Sequence, residues 1–566
     1  MKNVSKSLML TCIALLVSVI AFAQVTTSSM SGRITDESGP VVGATVVAVH
    51  EPTGSQFYSV TDAKGYYRLN SITAGGPYTV TVACMGYADA VFKDITVALS
   101  DNLVLDTTLA EESLTLEGVV VKAEGRTSNM RSDRAGAITS MSAKEIQTLP
   151  TVSRSMNDLL KQTPQAYVDG SKVSIGGGNY RQSYVTVDGA AFNNAFGIGS
   201  NLPAGGSPIS LDALEQMAIS VTPYDVRQSG FTGGGIAATT KSGTNQVTGT
   251  AYVYFRNQNM RGTEVADYKP LTTDPSRYFM YGASVGGPIV KDKLFFFLNV
   301  EADNSVTPGP SRRYSNYIDD GTGKLVRDGD KEVFTDGKDG VARPSGVVLD
   351  ALSKYLLDTY GYDTDVYNGY SIQSPSLKLL ARLDWNIGRN HKLNLRYSMT
   401  QSKYAANPSG SLTGFLDTSY APKGGRTSMW SSYYKNARYY QEQNFYSVAA
   451  ELNSRFLDGK LNNTLRATYS HQYDPRTQEG GYFPGVDMVV GEGGNRAIYT
   501  VFGSETFSYG NLRDVHTVLA TDELTLSAGI HNLLLGAQFE YNHTTNGYQT
   551  QGGAAYVFEY PTQQAL

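Results

Sequence analysis

The sequence predicts a mainly β protein: a small β-sandwich, then an α/β plug domain, then the N-terminal part of a transmembrane antiparallel β-barrel, with about 22 strands if complete. Three observations predict this class. Long segments after residue 244 alternate apolar and polar residues, and their connections alternate between short and long. Glycine is abundant at 58 residues, and 38 tyrosines outnumber 20 phenylalanines, which suits twisted sheets with interfacial aromatic side chains. The change from short units to long strands falls within Phe231–Asn257.

Residues 1–23 have the pattern of a cleaved signal peptide. Lys2 and Lys6 precede the apolar stretch Leu8–Phe22, and Ala21-Phe22-Ala23 is a small-x-small cleavage site. An uncleaved anchor helix is the alternative, and it is disfavoured because the run is shorter than the ~20 residues of a membrane helix. Cleavage would leave Cys84 as the only cysteine, so we expect an exported chain without an intrachain disulfide.

Charge and motif content exclude several classes of function. The net charge is −5 and the isoelectric point is near 5.8, so there is no basic footprint for nucleic acid. None of the six histidines stands in an H-x-x-E or H-E-x-x-H pattern, so the sequence predicts no catalytic residues and no metal site. The glycine-rich segments 176–178 and 197–199 lack complete nucleotide-binding patterns, and the aspartate-rich loop 319–339 lacks the positions of an EF-hand. We therefore expect neither enzyme activity nor a cofactor.

Residues 24–110 are expected to form the small β-sandwich. The predicted strands have the spacing of such a domain: Gly32–Asp36, Gly43–Val49, Gly65–Leu69 and Tyr78–Val82. Thr61–Gly65 is predicted as a turn, because Asp62 can bond the backbone and Gly65 can take a positive φ. The pieces GRITDESGPVVGATV, SVTDAKGYYRLNSI and YTVTVACMGY resemble the carboxypeptidase regulatory-like domain. The resemblance implies a folding or docking module, with sugar binding as the alternative.

Residues 111–126 are a linker that contains one β-forming run, Leu116–Ala123. One interpretation is an edge strand of a neighbouring domain. The other is a segment that adds a strand to the sheet of another protein, where main-chain hydrogen bonds supply the affinity. The run resembles the TonB box of outer-membrane transporters, and this resemblance implies a set of TonB-binding residues. They are Glu117, Gly118, Val119, Val120, Val121 and Lys122.

Residues 127–243 are expected to form the α/β plug. Ser142 and Glu145 make a capping box that opens a short helix, and Ser153 or Ser155 begins another. The further predicted elements are strands in 167–175 and 184–187, turns at 169–170 and 188–189, a helical turn over 209–215 and a strand over 217–221.

The segments GGGNYRQSYVTVDGAAFNNAFG and PISLDALEQMAISVTPYDVRQSGFTGGGIAATTKSGTN resemble the plug of Oar-like TonB-dependent receptors of Bacteroidetes. The resemblance implies ligand-binding residues at the plug apex, and plug packing or loop geometry is the alternative role for them. These candidates are Tyr180, Arg181, Asn193, Asn194 and Phe196.

Residues 244–566 contain the predicted barrel strands. In one segment Leu377, Leu383 and Trp385 share one face, while Lys378 and Asp384 share the other, as expected of a wall with an apolar outside and a polar inside. The nine predicted strands are Val247–Asn257, Phe279–Gly287, Lys293–Ala302, Ser376–Ile387, His391–Thr400, Phe445–Phe456, Leu461–Gln472, Val515–Leu526 and His531–His543.

The connections between these strands favour a membrane barrel over a soluble sandwich. Short turns are predicted at 286–292, 388–390, 457–460 and 528–530, and long unstructured links at 303–375, 401–444 and 473–514. The segment YGASVGGPIVKDKLFFFLNVE resembles the second and third strands of the Oar-like barrel. Nine strands are too few to enclose a plug, since about 22 are needed for that. We therefore expect the sequence to be an N-terminal fragment of a longer receptor.

Together the resemblances imply a TonB-dependent receptor in the Gram-negative outer membrane. The expected activity is the import of a ligand (an oligosaccharide, a peptide or a chelate) with the proton-motive force of the inner membrane. The expected partners are the TonB energy-coupling complex, the outer membrane and the ligand, with a surface lipoprotein as a further candidate and no nucleic acid. The alternative is a non-transporting outer-membrane surface protein, an adhesin or assembly factor, on the same scaffold.

Overall fold

The structure is a computed structural model. It describes residues 26–111, 119–121, 138–151, 153–169, 172–193, 202, 207–221, 226–228, 232–260, 262, 264, 266, 275–315, 317–319, 325–327, 341–411, 425–428, 431–493, 496–528, 531–550, 552–561 and 565–566. The predicted signal peptide, residues 1–23, lies outside these ranges. Within them, no helix has both the length and the apolar character that a membrane crossing requires.

The first unit is a β-sandwich of two sheets. One sheet has the order β4-β1-β7, with β8 also paired to β1, and the other has the order β3-β2-β5-β6-β9. Buried side chains such as Met30, Val46 and Val80 form the core between them. The four strands predicted from sequence fall on β1, β2, β4 and β5. The strands are β1 (Thr27–Thr35), β2 (Thr45–His50), β3 (Ser55–Val60), β4 (Tyr66–Thr73), β5 (Gly75–Ala83), β6 (Ala90–Val97), β7 (Asn102–Val104), β8 (Thr107–Thr108) and β9 (Val119–Val121).

Local chemistry explains the predicted turn between β3 and β4. The carboxylate of Asp62 accepts hydrogen bonds from the backbone N–H groups of Lys64 at 2.8 Å and Tyr66 at 2.9 Å. Gly65 has φ +79°, which residues with a Cβ rarely adopt. The turn therefore forms where the sequence predicts it.

The second unit, for which we keep the name plug, is built on a sheet of order β10-β15-β16-β13-β14, with β11 and β12 as a separate hairpin. The predicted capping box of Ser142 and Glu145 is present on α1, and Ser155 rather than Ser153 is the N-cap of α2. The helices and strands are β10 (Ile138–Ser142), α1 (Ala143–Thr148), α2 (Met156–Leu160), β11 (Ala166–Asp169), β12 (Lys172–Ile175), β13 (Tyr184–Val187), β14 (Ala190–Ala191), β15 (Leu214–Ser220) and β16 (Gly235–Thr240).

One plug prediction has the wrong boundary. The helical turn expected over 209–215 is a single 3-10 turn, Leu211–Ala213, and β15 begins at Leu214 rather than at Met217. Ser210 caps the turn by accepting a hydrogen bond from the N–H of Asp212. The helix is shorter than predicted because Leu214 and Gln216 pair with β16.

The third unit, the wall, is a nine-stranded antiparallel sheet in which neighbours in sequence are neighbours in space. All nine predicted strands are present, and most extend further at the ends away from the short turns. In the described ranges the first and last wall strands are not paired with each other. The wall strands are β17 (Thr248–Asn257), β18 (Arg277–Val290), β19 (Leu294–Pro308), β24 (Ser371–Ile387), β25 (His391–Ala406), β27 (Tyr439–Phe456), β28 (Leu461–Gln478), β31 (Leu512–Ala528) and β32 (His531–Gly547).

The predicted faces of the wall are confirmed. Leu377, Leu383 and Trp385 are 37%, 42% and 47% exposed on the outside, whereas Lys378 and Asp384 are buried on the inside. The inner face packs against the plug, and the plug core includes Phe297, Leu380 and Phe445 of the wall. One turn is shorter than predicted, since β18 continues to Val290 and leaves only residues 291–293 for the reversal.

The prediction of long unstructured links is wrong. A helix and several short strands lie within the links, and one further strand follows the last wall strand. The helix α3 packs on a four-stranded sheet of order β26-β30-β29-β33, around a core that contains Leu349, Tyr434 and Tyr499. We call this unit, at the wall end opposite the short turns, the roof. The link elements are β20 (Arg313–Ser315), β21 (Tyr317–Asp319), β22 (Leu325–Arg327), β23 (Val341–Ser345), α3 (Gly346–Tyr360), β26 (Ser432–Tyr433), β29 (Gly485–Val490), β30 (Ala497–Phe502) and β33 (Ala555–Tyr560).

Candidate functional site

The plug is attached to the wall through a buried carboxylate, Asp188, in the turn that follows β13. Its oxygens accept hydrogen bonds from the backbone N–H of Thr240 at 2.9 Å and from the hydroxyl of Thr240 at 2.8 Å. These contacts fix the carboxylate at one end of the central plug strands. From there it faces two arginines of the wall, Arg396 at 3.3 Å and Arg382 at 3.7 Å.

The two arginines also bind the plug backbone directly. Arg396 donates to the carbonyl of Val187 over 2.7 Å, and Arg382 donates to the carbonyl of Thr240 over 2.8 Å. They are cross-strand partners on β24 and β25, so their like charges require nearby anions. Asp188 supplies one, and Asp384 supplies the other through two bonds of 2.8 Å to Arg382. The pair therefore clamps the ends of β13 and β16.

A second polar connection lies further from the short turns. Glu301 of β19 is fully buried and is 2.8 Å from the ammonium of Lys378 on β24. Glu301 also accepts hydrogen bonds from the plug hydroxyl of Ser210 at 2.9 Å and from Tyr252 of β17 at 2.6 Å. Lys378 donates to Ser207 of the plug over 2.8 Å. This group joins three wall strands to the plug segment before β15.

These contacts determine how firmly the plug is held against the wall. Removing one partner of a buried ion pair typically costs about 3–5 kcal/mol, since the other charge is left without compensation. Replacing the whole interface with water costs less per group, because every charge is then solvated. The intact ion pairs can thus hold the plug firmly against the wall.

Sequence reasoning missed this attachment. It predicted Asp188–Gly189 only as a turn, and it assigned the inward face of the wall only as polar. One signal could have identified the site: an arginine on the inner face of a wall, such as Arg396, needs an anionic partner. The sequence did not indicate which anion that partner is.

The structure brings together the predicted ligand-binding residues that it describes. Tyr180 and Arg181 form part of a 3-10 turn just before β13, and the ring of Tyr180 lies 5.3 Å from both the Lys172 ammonium and the Arg181 guanidinium carbon. The Asn193 side chain accepts from the N–H of Val185 at 2.5 Å and donates to the carbonyl of Ser183 at 2.7 Å.

The Asn193 side chain thus binds the backbone at the N-terminal end of β13, which is also where the 3-10 turn of Tyr180 and Arg181 lies. Arg181 is exposed. Asn194 and Phe196 lie outside the described residues. Ligand binding by all five residues stays a prediction.

The predicted TonB-binding segment lies on a different unit. Val119, Val120 and Val121 form β9, which pairs in parallel with Ala90–Phe92 of β6 at the edge of a sandwich sheet. This matches the edge-strand interpretation for these three residues, and it shows that the segment adopts the extended form that strand addition needs. Glu117, Gly118 and Lys122 lie outside the described residues. TonB binding by the segment stays a prediction.

The sandwich contacts the short-turn end of the wall. Arg455 of β27 donates to the carbonyl of Gln56 over 2.7 Å, and its guanidinium lies 4.7 Å from the ring centroid of Phe57. A cavity of about 560 Å³ is lined by both units. In the sandwich, burial of His50, together with the positive charge of Lys392, lowers the pKa of the imidazole to about 3.

Comparison with known protein families gives two matches. The family model described as outer membrane beta barrel domain matches residues 239–565, and the carboxypeptidase regulatory-like domain matches residues 29–110. The first match covers more than half of the chain.

A curated relative supports the same assignment. The TonB-dependent transporter Oar of Myxococcus xanthus is 25% identical over 422 residues, which are 70% of this chain and 36% of the relative. The chain therefore spans about a third of the length of that relative.

Two solved structures have partial similarity to the chain. The outer membrane transporter YddB of Escherichia coli has a TM-score of 0.49 at 12% identity, with 75% of this chain and 50% of that chain covered. The siderophore receptor PirA of Acinetobacter baumannii has a TM-score of 0.43 at 13% identity, with 72% and 48% covered. The family model covers more than half of the chain, so the chain belongs to the outer membrane beta barrel family.

Proposed function

We propose that this receptor imports a ligand across the outer membrane and that TonB supplies the energy from the proton-motive force of the inner membrane. The ligand classes that remain open are an oligosaccharide, a peptide and a metal chelate. The observation that carries the proposal is the attachment of the plug by a small number of buried ion pairs centred on Asp188. No covalent chemistry is required for this cycle.

The order of the elements supports a mechanical connection between TonB and the plug. The strand-forming segment Val119–Val121 precedes β10, and β10 is an edge strand of the plug sheet that pairs only with β15 within the described ranges. Among the plug strands, β10 is therefore the first that tension on the segment would reach. Because β10 has a single paired neighbour, its detachment would break the hydrogen bonds of only one ladder.

For the ligand-binding step, we propose that the ligand binds near the 3-10 turn that contains Tyr180 and Arg181. The cationic side chains of Lys172 and Arg181 flank the Tyr180 ring, so the turn offers an aromatic surface and positive charge. Such a surface suits a sugar ring, a peptide carboxylate or an anionic chelate. A surface lipoprotein that covers the roof is a further candidate partner.

The second candidate function is that of a non-transporting surface protein, an adhesin or assembly factor. The roof favours it, because a folded unit with its own core offers a stable surface for attachment. This candidate needs no energy coupling through the linker. The two candidates therefore differ in their dependence on residues 117–122.

The test uses the full chain and the purified periplasmic domain of TonB. Val120→Pro removes a backbone donor from the segment, so we expect at least a tenfold loss of affinity for TonB. Val120→Ile keeps the N–H and the β-branched side chain, and we expect it to bind as the parent does. In cells, Val120→Pro should abolish energy-dependent uptake while the amount of receptor at the surface stays normal. Equal TonB affinity of the two variants would contradict coupling through this segment. The second candidate would be favoured if the parent shows no uptake and Val120→Pro leaves adherence unchanged.

A further inference from the structure

Three side chains of metal-binding type meet on the outward face of the wall. His471 of β28 and His516 of β31 are cross-strand partners, and Asp514 is two residues before His516. The Nε2 atom of His471 is 2.8 Å from Oδ1 of Asp514, and the Nε2 atom of His516 is 3.2 Å from the same oxygen. Ligand atoms of all three side chains lie within 4.8 Å of one another. The two nitrogens thus converge on one carboxylate.

The orientation of His516 is fixed by a partner on its other ring nitrogen. Its Nδ1 is 2.8 Å from the hydroxyl of Tyr469. When Nδ1 carries the proton and donates it to this hydroxyl, Nε2 presents its lone pair toward Asp514. Metal-binding histidines commonly have such a partner, which sets the tautomer and the ring orientation. The rings of His471 and His516 are stacked, with centroids 4.2 Å apart and planes 9° apart, so both point in the same direction.

The spacing of the donor atoms suits zinc. Two imidazole nitrogens and one carboxylate oxygen, with a fourth position open, are a common ligand set for this ion. Bonds of about 2.0–2.2 Å in a tetrahedron separate the ligand atoms by about 3.3 Å. The present distances of 2.8 Å and 3.2 Å need to widen only slightly to reach that value. The side chains are 26%, 28% and 35% exposed for His471, Asp514 and His516, which leaves the fourth position open to water.

The set lies at the outer rim of the wall. His471 is ten residues along β28 from Leu461, where the strand leaves its short turn. Ten residues at about 3.4 Å each, tilted by about 40°, raise His471 about 26 Å above that turn, which is the height of the apolar band of such barrels. Tyr446, Tyr469 and Tyr473 surround the set as members of an aromatic girdle. The site is therefore at the interface with the outer medium.

We propose that His471, Asp514 and His516 bind one zinc ion at the outer rim and thereby connect β28 to β31. The sequence predicted no metal site, because the patterns considered there were local spacings. These ligands come from two strands, and His471 and His516 are 45 positions apart in the sequence. Both strands are interior members of the wall sheet, so each already has its two neighbours. All three protein ligands of the site are described residues. It is independent of the proposed transport cycle, since none of its ligands faces the plug.

The test measures zinc binding by the full chain in detergent, purified without a polyhistidine tag and stripped with EDTA. Zinc is titrated in competition with a chromophoric chelator, and cobalt is used as a visible-absorbing substitute. We expect one zinc ion per chain and a four-coordinate cobalt spectrum. His471→Gln and His516→Gln should each weaken zinc binding by at least tenfold, and Tyr469→Phe by about tenfold, as is usual for loss of a partner that orients a ligand.

His543→Gln is the matched control, because His543 continues the same row on β32 with its ring 6.3 Å from that of His516 and is outside the ligand set. It should bind zinc as the parent does. Heat-modifiable migration in gels verifies that each variant keeps a folded wall. Absence of stoichiometric zinc in the parent would overturn the proposal, as would equal binding by the parent and a folded His516→Gln variant. An equal loss in His543→Gln and His516→Gln would also overturn it, because it would indicate nonspecific binding along the histidine row.

Discussion

Replacing Asp188 by asparagine should loosen the plug without unfolding the wall. The substitution keeps the size of the side chain and removes its charge. Arg382 retains two bonds to Asp384, but Arg396, whose side chain is 1% exposed, loses the only carboxylate within 4.0 Å in the described residues. A buried charge left without its partner costs about 3–5 kcal/mol. At 1.36 kcal/mol per factor of ten, the opening equilibrium of β13 and β16 should shift by more than a hundredfold.

The assay is hydrogen–deuterium exchange of the full chain in a membrane mimetic. Peptides that contain β13 and β16 should exchange at least a hundredfold faster in Asp188→Asn, while peptides from β24 and β25 stay protected. Asp458→Asn is the matched control, since Asp458 lies exposed in a short turn with φ +55°, a conformation that asparagine tolerates. It should exchange as the parent does.

A double-mutant cycle isolates the pair. Arg396→Met alone leaves Asp188 with Arg382 at 3.7 Å and with Thr240, so its cost should be smaller than that of Asp188→Asn. The double variant removes both charges and should be less destabilised than the sum of the single variants. Strictly additive effects, or unchanged exchange in Asp188→Asn, would refute the view that this ion pair holds the plug.

Two further predictions concern the sandwich and the lipid-facing surface. The pKa of His50 is lowered from 6.5 to about 3 by burial, so the unfolded state binds the proton more readily. The contribution of His50 to the stability of the sandwich is therefore full above pH 6.5 and decreases as the pH falls toward 3, by roughly 2 kcal/mol at pH 5. His50→Asn should remove this pH dependence in thermal unfolding. An unchanged dependence of stability on pH in His50→Asn would contradict the prediction. Val300 is 42% exposed near mid-height on β19, so Val300→Lys should cost about 2–4 kcal/mol in a lipid bilayer. Val290→Lys, at the short-turn end, should cost about 0–1 kcal/mol, and equal costs in urea titrations would show that Val300 does not face lipid.

The elements that the sequence predicted well depend on neighbouring residues. Alternation along β24 and β25 placed Leu383 outside and Lys378 inside, because successive side chains of a strand point to opposite faces. The capping box of Ser142 and Glu145 and the turn at Asp62 also involve residues within a few positions of each other. The roof was missed because its strands β29 and β30 are short and buried on both faces, so they show no alternation.

By itself, the sequence determined the order of the three units, the course of the wall and the presence of strand-forming residues in the linker. Only the tertiary structure decided which charges meet. Arg396 and Asp188 are 208 residues apart, and the two histidines of the proposed zinc site come from different strands. Such pairs depend on the register between strands and on the position of the plug against the wall. Each residue contributes only a small part of the energy that determines either of them. Local patterns determine which face a side chain occupies, and long-range packing determines the partner that it finds there.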